Sequence, residues 1–163
     1  MKSAGVIKLE KRIRTWIILF IILLVLSGVT AFPIETELRL IAGHDQWLPP
    51  ALQNWLQTIY TAVKDTNSRY PYLAYGTDWL AFAHVVIAVA FIGPLRDPVR
   101  NIWVIQFGMI ACILVLPLAL IAGPDRHIPF YWQMIDCSFG VIGFWPLFAC
   151  YKDIKQLEKA GRV

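Results

Sequence analysis

A chain of 163 residues that is 58% hydrophobic and only 16% charged, with a mean hydropathy of +0.57, departs strongly from the composition of soluble domains. Its formal net charge of +4 does not mark a nucleic-acid binder, because the basic residues are spread over short segments instead of being gathered on one face with stacking aromatics. The apolar residues fall in long runs, so the expected fold class is an all-α integral membrane protein with four transmembrane helices, a single membrane domain over residues 1–163.

The first run, 16–32 (WIILFIILLVLSGVTAF), follows Lys2, Lys8, Lys11, Arg12 and Arg14. This basic stretch, the apolar core and Val29-Thr30-Ala31 also fit a secretory signal cleaved after Ala31. The length of the run, and a pattern that continues through Phe32 and Pro33, favour an uncleaved anchor. The 44 residues from 33 to 76 then separate the first span from the second, and they have internal patterning. Pro33 followed by Ile34-Glu35-Thr36-Glu37 opens a short helix that stops before Gly43. From Pro49-Pro50, Leu52, Trp55, Leu56, Ile59, Tyr60 and Val63 form a helical stripe. Together these helices predict a cap over residues 34–64 on the outer face. Its few basic residues distinguish it from a helix that binds anionic lipid through charge. The stretch 65–77 reads as turn-rich, with Tyr70, Tyr72 and Tyr75 near the interface.

The second span is expected at 79–95, closed by Gly93-Pro94, with Asp97 and Pro98 as N-cap and first turn of the third, 102–122. Gly123-Pro124 should end that helix, and Pro129 should open the fourth, 128–151, continued by a charged end over 152–159. Eleven of the fifteen Lys and Arg then lie on one side: Lys2, Lys8, Lys11, Arg12, Arg14, Arg96, Arg100, Lys152, Lys155, Lys159 and Arg162. The excess predicts that both termini and the 96–101 loop are cytoplasmic. The outer segments carry no N-x-[ST] sequon, which fits a bacterial inner membrane. Cys112, Cys137 and Cys150 all fall within spans and read as small apolar packing residues, with no C-x-x-C pair.

His84 and Asp136 are the only histidine and the only acid inside these spans, and an ionisable group in hydrocarbon is a functional-site hypothesis by default. By helix rise, His84 lies roughly 9 Å inward from Asp78, and Asp136 roughly 9 Å inward from Phe130. Ser27 and Pro117 fall at about the same depth on the other helices, and Gln133 shares the Asp136 face. A polar layer in the outer leaflet is expected, with His84, Gln133, Asp136 and Ser27 as ligand-binding candidates and His84 and Asp136 as catalytic candidates. Desolvation favours the neutral form of both members of the pair, whereas close contact favours carboxylate and imidazolium. Either arrangement also serves as hydrogen-bonded glue between helices.

Asp78 reads as a first-turn acid favoured by the helix dipole. His44-Asp45 and Asp125-Arg126-His127 sit on the outer side, but no H-x-x-x-H or H-E-x-x-H spacing offers a metal site. Haem between two span histidines is disfavoured because only one span contains histidine, which leaves a single proximal ligand open. Pro117 frees the carbonyl of Ile113, which needs a partner or water in lipid. Gly140 and Gly143 should permit close helix approach.

Three functions are compatible with these features. One is an accessory protein that binds membrane lipid or another hydrophobic ligand, or that joins a larger membrane complex or homo-oligomer. Another is a membrane-embedded enzyme or redox component acting on a lipid or quinone, with His84 and Asp136 as an acid/base pair. A proton-coupled transporter is less well supported, because Gln106 is the only evident polar side chain in the cytoplasmic half.

Overall fold

A computed structural model describes residues 4–160, and no strand occurs among them. The helices are α1 (Ala4–Ala31), α2 (Ile34–Ala42), α3 (Pro50–Arg69), α4 (Ala74–Ala90), α5 (Ile92–Arg96), α6 (Ile102–Asp125) and α7 (Phe130–Ala160), with 3₁₀ turns at Asp45–Trp47 and Pro71–Leu73. Four helical segments are long and apolar enough to cross a membrane: Ala4–Ala31, Pro71–Arg96, Ile102–Asp125 and Phe130–Ala160. Each coincides with one of the expected spans.

The boundaries differ from expectation where local capping overrides a single residue signal. The stretch 65–77 is mostly helix, because α3 continues to Arg69 and α4 already begins at Ala74. Gly93-Pro94 does not close the second span. It lies inside α5, close enough to the start of that helix for the missing proline N–H to be one of its unpaired first-turn donors. Asp97 does not cap α6 either. Its carboxylate accepts from the Arg100 N–H at 3.0 Å and so closes a separate turn, while Asn101 is the residue that precedes α6. Asn101 then donates to the carbonyls of Gly93 at 3.2 Å and Asp97 at 3.0 Å, tying the end of α5 to the start of α6.

The turn after α6 also shifts. Gly123 and Pro124 remain inside the last turn, and the left-handed position falls on His127, with φ 56°. The Ile128 N–H bonds the Gly123 carbonyl at 2.9 Å and the His127 N–H bonds the Pro124 carbonyl at 3.0 Å, the paired hydrogen bonds of a Schellman end. That end normally carries glycine because a Cβ crowds the following carbonyl. His127 is exposed, so His127→Gly removes the strain without removing a packed side chain. We expect it to raise stability by about 0.5–1 kcal/mol, read as a higher thermal midpoint in detergent.

The chain divides into two compact units. The first comprises residues 1–22 and 88–163, of which 4–22 and 88–160 are described. Its core is built from Ile13 and Ile17 of α1, Phe91 and Pro94 around the start of α5, Val104 and Ile105 of α6, and Leu147, Cys150 and Ile154 of α7. Phe20 packs on Phe91 with ring centroids 4.7 Å apart. The helices α6 and α7 run side by side along a seam of small residues. A Cβ on Gly108 would meet Leu147 and Phe91, one on Gly140 would meet the Cys112 carbonyl, and one on Gly123 would meet Gln133. Without a hydrophobic driving force between helices in lipid, such close approach is what holds them together.

The second unit, residues 23–87, contains the end of α1, then α2, α3 and most of α4. The expected apolar stripe of α3 is its less exposed face, with Leu56 buried and Leu52, Trp55, Ile59, Tyr60 and Val63 half-buried. α3 packs on α2, where Asn67 donates to Glu35 at 2.7 Å. α1 and α4 approach closely at Gly28, whose absent Cβ would lie 2.8 Å from the Ala81 carbonyl and 3.1 Å from the His84 Cβ.

Candidate functional site

The residues singled out from sequence divide between the units. Ser27 and His84 belong to residues 23–87, and Gln133 and Asp136 belong to the other unit. Within its unit, His84 is half-buried, with its Cβ over Gly28. Its Nδ1 lies 2.8 Å from the Leu80 carbonyl. A carbonyl can only accept, so Nδ1 carries the proton and donates, which leaves Nε2 as the acceptor of the neutral ring. Ser27 is exposed on the neighbouring turn of α1, where the Thr30 hydroxyl donates to the Leu26 carbonyl at 2.9 Å and reaches the Ser27 carbonyl at 3.4 Å.

The depth assigned to His84 rested on a helix starting at Asp78. With α4 starting at Ala74, His84 lies roughly 15 Å along it. The earlier start also removes the dipole explanation for Asp78, which sits in the second turn of α4 instead of the first.

Gln133 has a structural use within the first unit. It is 4% exposed, its side chain lies against Gly123, and its Nε2 donates to the Ile128 carbonyl at 2.8 Å. The amide thereby locks the α6–α7 turn. Three residues on, Asp136 is half-buried, and its carboxyl makes no side-chain hydrogen bond or ion pair among the described residues. The Ser138 hydroxyl donates to the Ile135 carbonyl of its own helix at 2.6 Å. In the apolar part of α7 the Asp136 carboxyl is thus left without a partner among the described residues, and around it Met134, Ile135 and Phe139 are exposed.

The outer-side candidates are similarly local. The His44 Nδ1 donates to the Leu40 carbonyl at 3.0 Å, while the side chain of Asp45 lies outside the described residues. Arg126 and Asp125 approach at 4.0 Å with both side chains about four-fifths exposed. No group of three or more His, Cys, Asp and Glu converges among the described residues. Cys137 and Cys150 are buried, and the Cys112 sulfur lies over Gly143.

One polar contact escaped the sequence. Asp153, 4% exposed within the charged end of α7, accepts from Arg12 of α1 through both carboxylate oxygens. The Arg12 Nε approaches at 2.5 Å, and Nη2 supplies the second bond. A signal was present: Asp153 shares a helical face with Leu147, Cys150 and Ile154, so it falls on a buried stripe while its neighbour Lys152 does not.

No protein-family model, curated protein or solved structure matches the chain.

Proposed function

We propose that this chain is an accessory component of a membrane, binding a lipid-like or other hydrophobic ligand through polar groups set in its spans. One observation carries the reading. The span polar groups of His84, Gln133, Ser138 and Thr30 bond to nearby backbone carbonyls, whereas the Asp136 carboxyl, in an apolar setting, has no side-chain partner among the described residues. A lone carboxyl in hydrocarbon is retained at a cost, and engagement by a ligand head group or a partner subunit offsets that cost. The exposed large apolar side chains of α6 and α7, among them Leu118, Ile121, Ile142 and Trp145, supply the surface for lipid or for a neighbouring subunit.

The proposed orientation places both termini and the 96–101 loop in the cytoplasm and α2 and α3 outside, in a bacterial inner membrane. The Arg12–Asp153 pair supports one part of this, the common side of the two termini, by joining the N-terminal part of α1 to the C-terminal part of α7. The test is purification in mild detergent, with absorbance and mass spectrometry on bound lipids, chromophores and proteins. Asp136→Asn is expected to lower retention of the co-purifying ligand or partner about tenfold, the loss of one charge-assisted contact. Unchanged retention in both Asp136→Asn and His84→Ala, with normal folding, refutes the reading.

One observation favours a second reading, a membrane enzyme or redox component. The bond from Nδ1 to Leu80 fixes the His84 ring with Nε2 as its acceptor, the arrangement a proton-accepting histidine needs. A stoichiometric quinone or haem in the purified protein, together with a turnover lost in His84→Ala, would select it.

A further inference from the structure

An open cleft of about 270 Å³ in the second unit is lined by Phe32, Tyr75, Asp78, Trp79 and Phe82. Tyr75 precedes Asp78 and Trp79 by three and four residues and Phe82 follows them by four and three, so the four share one side of α4, and Phe32 comes from just beyond the end of α1. Trp79 is the centre of the array. Its ring stands edge-on to Tyr75, at 5.9 Å and 83°, and to Phe82, at 5.9 Å and 89°. All four aromatic side chains are about half exposed or more, so each leaves part of its ring accessible to a ligand.

Asp78 makes this cleft more than an aromatic belt. It is half-buried among the rings and lies beyond the first helical turn, where the dipole effect has faded. It makes no ion pair or side-chain hydrogen bond among the described residues. A carboxylate set among ring faces has the charge and the polarizable walls that recognise an organic cation. A primary ammonium can place its N–H donors on the Asp78 carboxylate and the Tyr75 hydroxyl, but its compact, strongly hydrated charge gains less from the surrounding rings. A quaternary ammonium needs no hydrogen-bond partner and gains from every ring face. The face continues one turn along α4 to the exposed side chain of Val86, an apolar track for an attached acyl chain.

We propose that this cleft binds the trimethylammonium head group of a choline-type lipid, with Asp78 as counter-ion, Trp79, Tyr75, Phe82 and Phe32 as cage, and the acyl chain along α4. The site is separate from His84 and Asp136, and its test is separate from theirs.

The protein is placed in nanodiscs holding equal parts of choline, ethanolamine and glycerol phospholipids with identical acyl chains. It is then released into native mass spectrometry and its retained lipids are counted. The choline lipid is expected in about fivefold excess over each of the others, the selectivity of a cation–π contact worth about 1 kcal/mol. Asp78→Asn and Trp79→Leu should each bring retention to parity, while Trp79→Phe keeps part of the preference. Trp79 is exposed and Asp78 half-buried, and unchanged helicity and elution volume show that the variants fold. Equal retention of the three lipids by the unaltered protein overturns the proposal, as does a preference that survives both Asp78→Asn and Trp79→Leu. His84→Ala should keep the preference. Its loss there would assign the selectivity to the span polar residues and overturn the cleft, and displacement by free choline as potent as by a choline lipid would overturn the lipid assignment.

Discussion

Gly140→Ala is expected to lower the thermal midpoint of the protein in detergent, and Gly140→Leu to abolish the compact fold of the first unit. An added Cβ at this position would stand 2.5 Å from the backbone carbonyl oxygen of Cys112, with the Val115 Cβ at 3.4 Å. A side chain could rotate away, but a carbonyl inside α6 moves only with its helix. The helices are also fixed above and below this point, by Gly123 against Gln133 and by Gly108 against Leu147. Widening the gap at Gly140 therefore opens contacts along the whole seam. Overpacking of this kind costs about 1–3 kcal/mol for a methyl group, and leucine adds more. The buried thiols of Cys137 and Cys150 report the transition through a thiol-reactive dye. Gly76→Ala is the matched control, since nothing lies within 4 Å of its added Cβ. In α4 that change should be neutral or stabilising, by up to about 1 kcal/mol. An equal loss at both glycines would show that the seam is not the cause.

The spans, the α3 stripe and the packing role of Gly140 were legible because each rests on a repeated signal. Length and hydropathy add up over some twenty residues, and the stripe Leu52, Trp55, Leu56, Ile59, Tyr60 and Val63 repeats through about three turns of helix. Helix ends rest on one or two residues, and these misled. Glycine and proline read as stop signals at 93–94 and 123–124, yet in each case the helix accommodates them within a turn of its end. The true ends depend on bonds that no local pattern announces, such as the two carbonyls held by the Asn101 side chain.

The candidate site was legible by residue type but not by use. His84 and Gln133 stand out in an apolar sequence, whereas the sequence does not reveal that each is held by a backbone carbonyl nearby. Which polar groups remain available depends on rotamers and on the facing helix. Gly28 is an example: within the run 16–32 it lies among fourteen apolar residues, yet it lets α1 close on His84. Asp78 shows the same dependence, because its dipole role required a helix start four residues later than the actual one.

Arg12→Ala should destabilise the protein more than the paired change Arg12→Ala with Asp153→Leu. The carboxylate of Asp153 is almost wholly buried, and Arg12 supplies both of its hydrogen bonds through a planar fork. Removing the arginine leaves a desolvated charge without a partner, the costly way to break such a pair. Removing both replaces the pair with an apolar contact beside Ile13, Ile154 and Leu147, which are all buried in the same core. Replacement of a buried pair by well-packed apolar residues is often neutral. The single variant is expected to lose roughly 5 °C in thermal midpoint, with much of that loss recovered in the double variant. Arg12→Lys should fall between them, because an ammonium cannot span both carboxylate oxygens as the fork does. The Arg12 side chain is about half exposed, so high salt should narrow these differences without erasing them. If Arg12→Ala leaves the midpoint unchanged, the ion pair is of little consequence to stability, and the junction of α1 with α7 is held by apolar packing such as that of Ile13, Ile17 and Ile154.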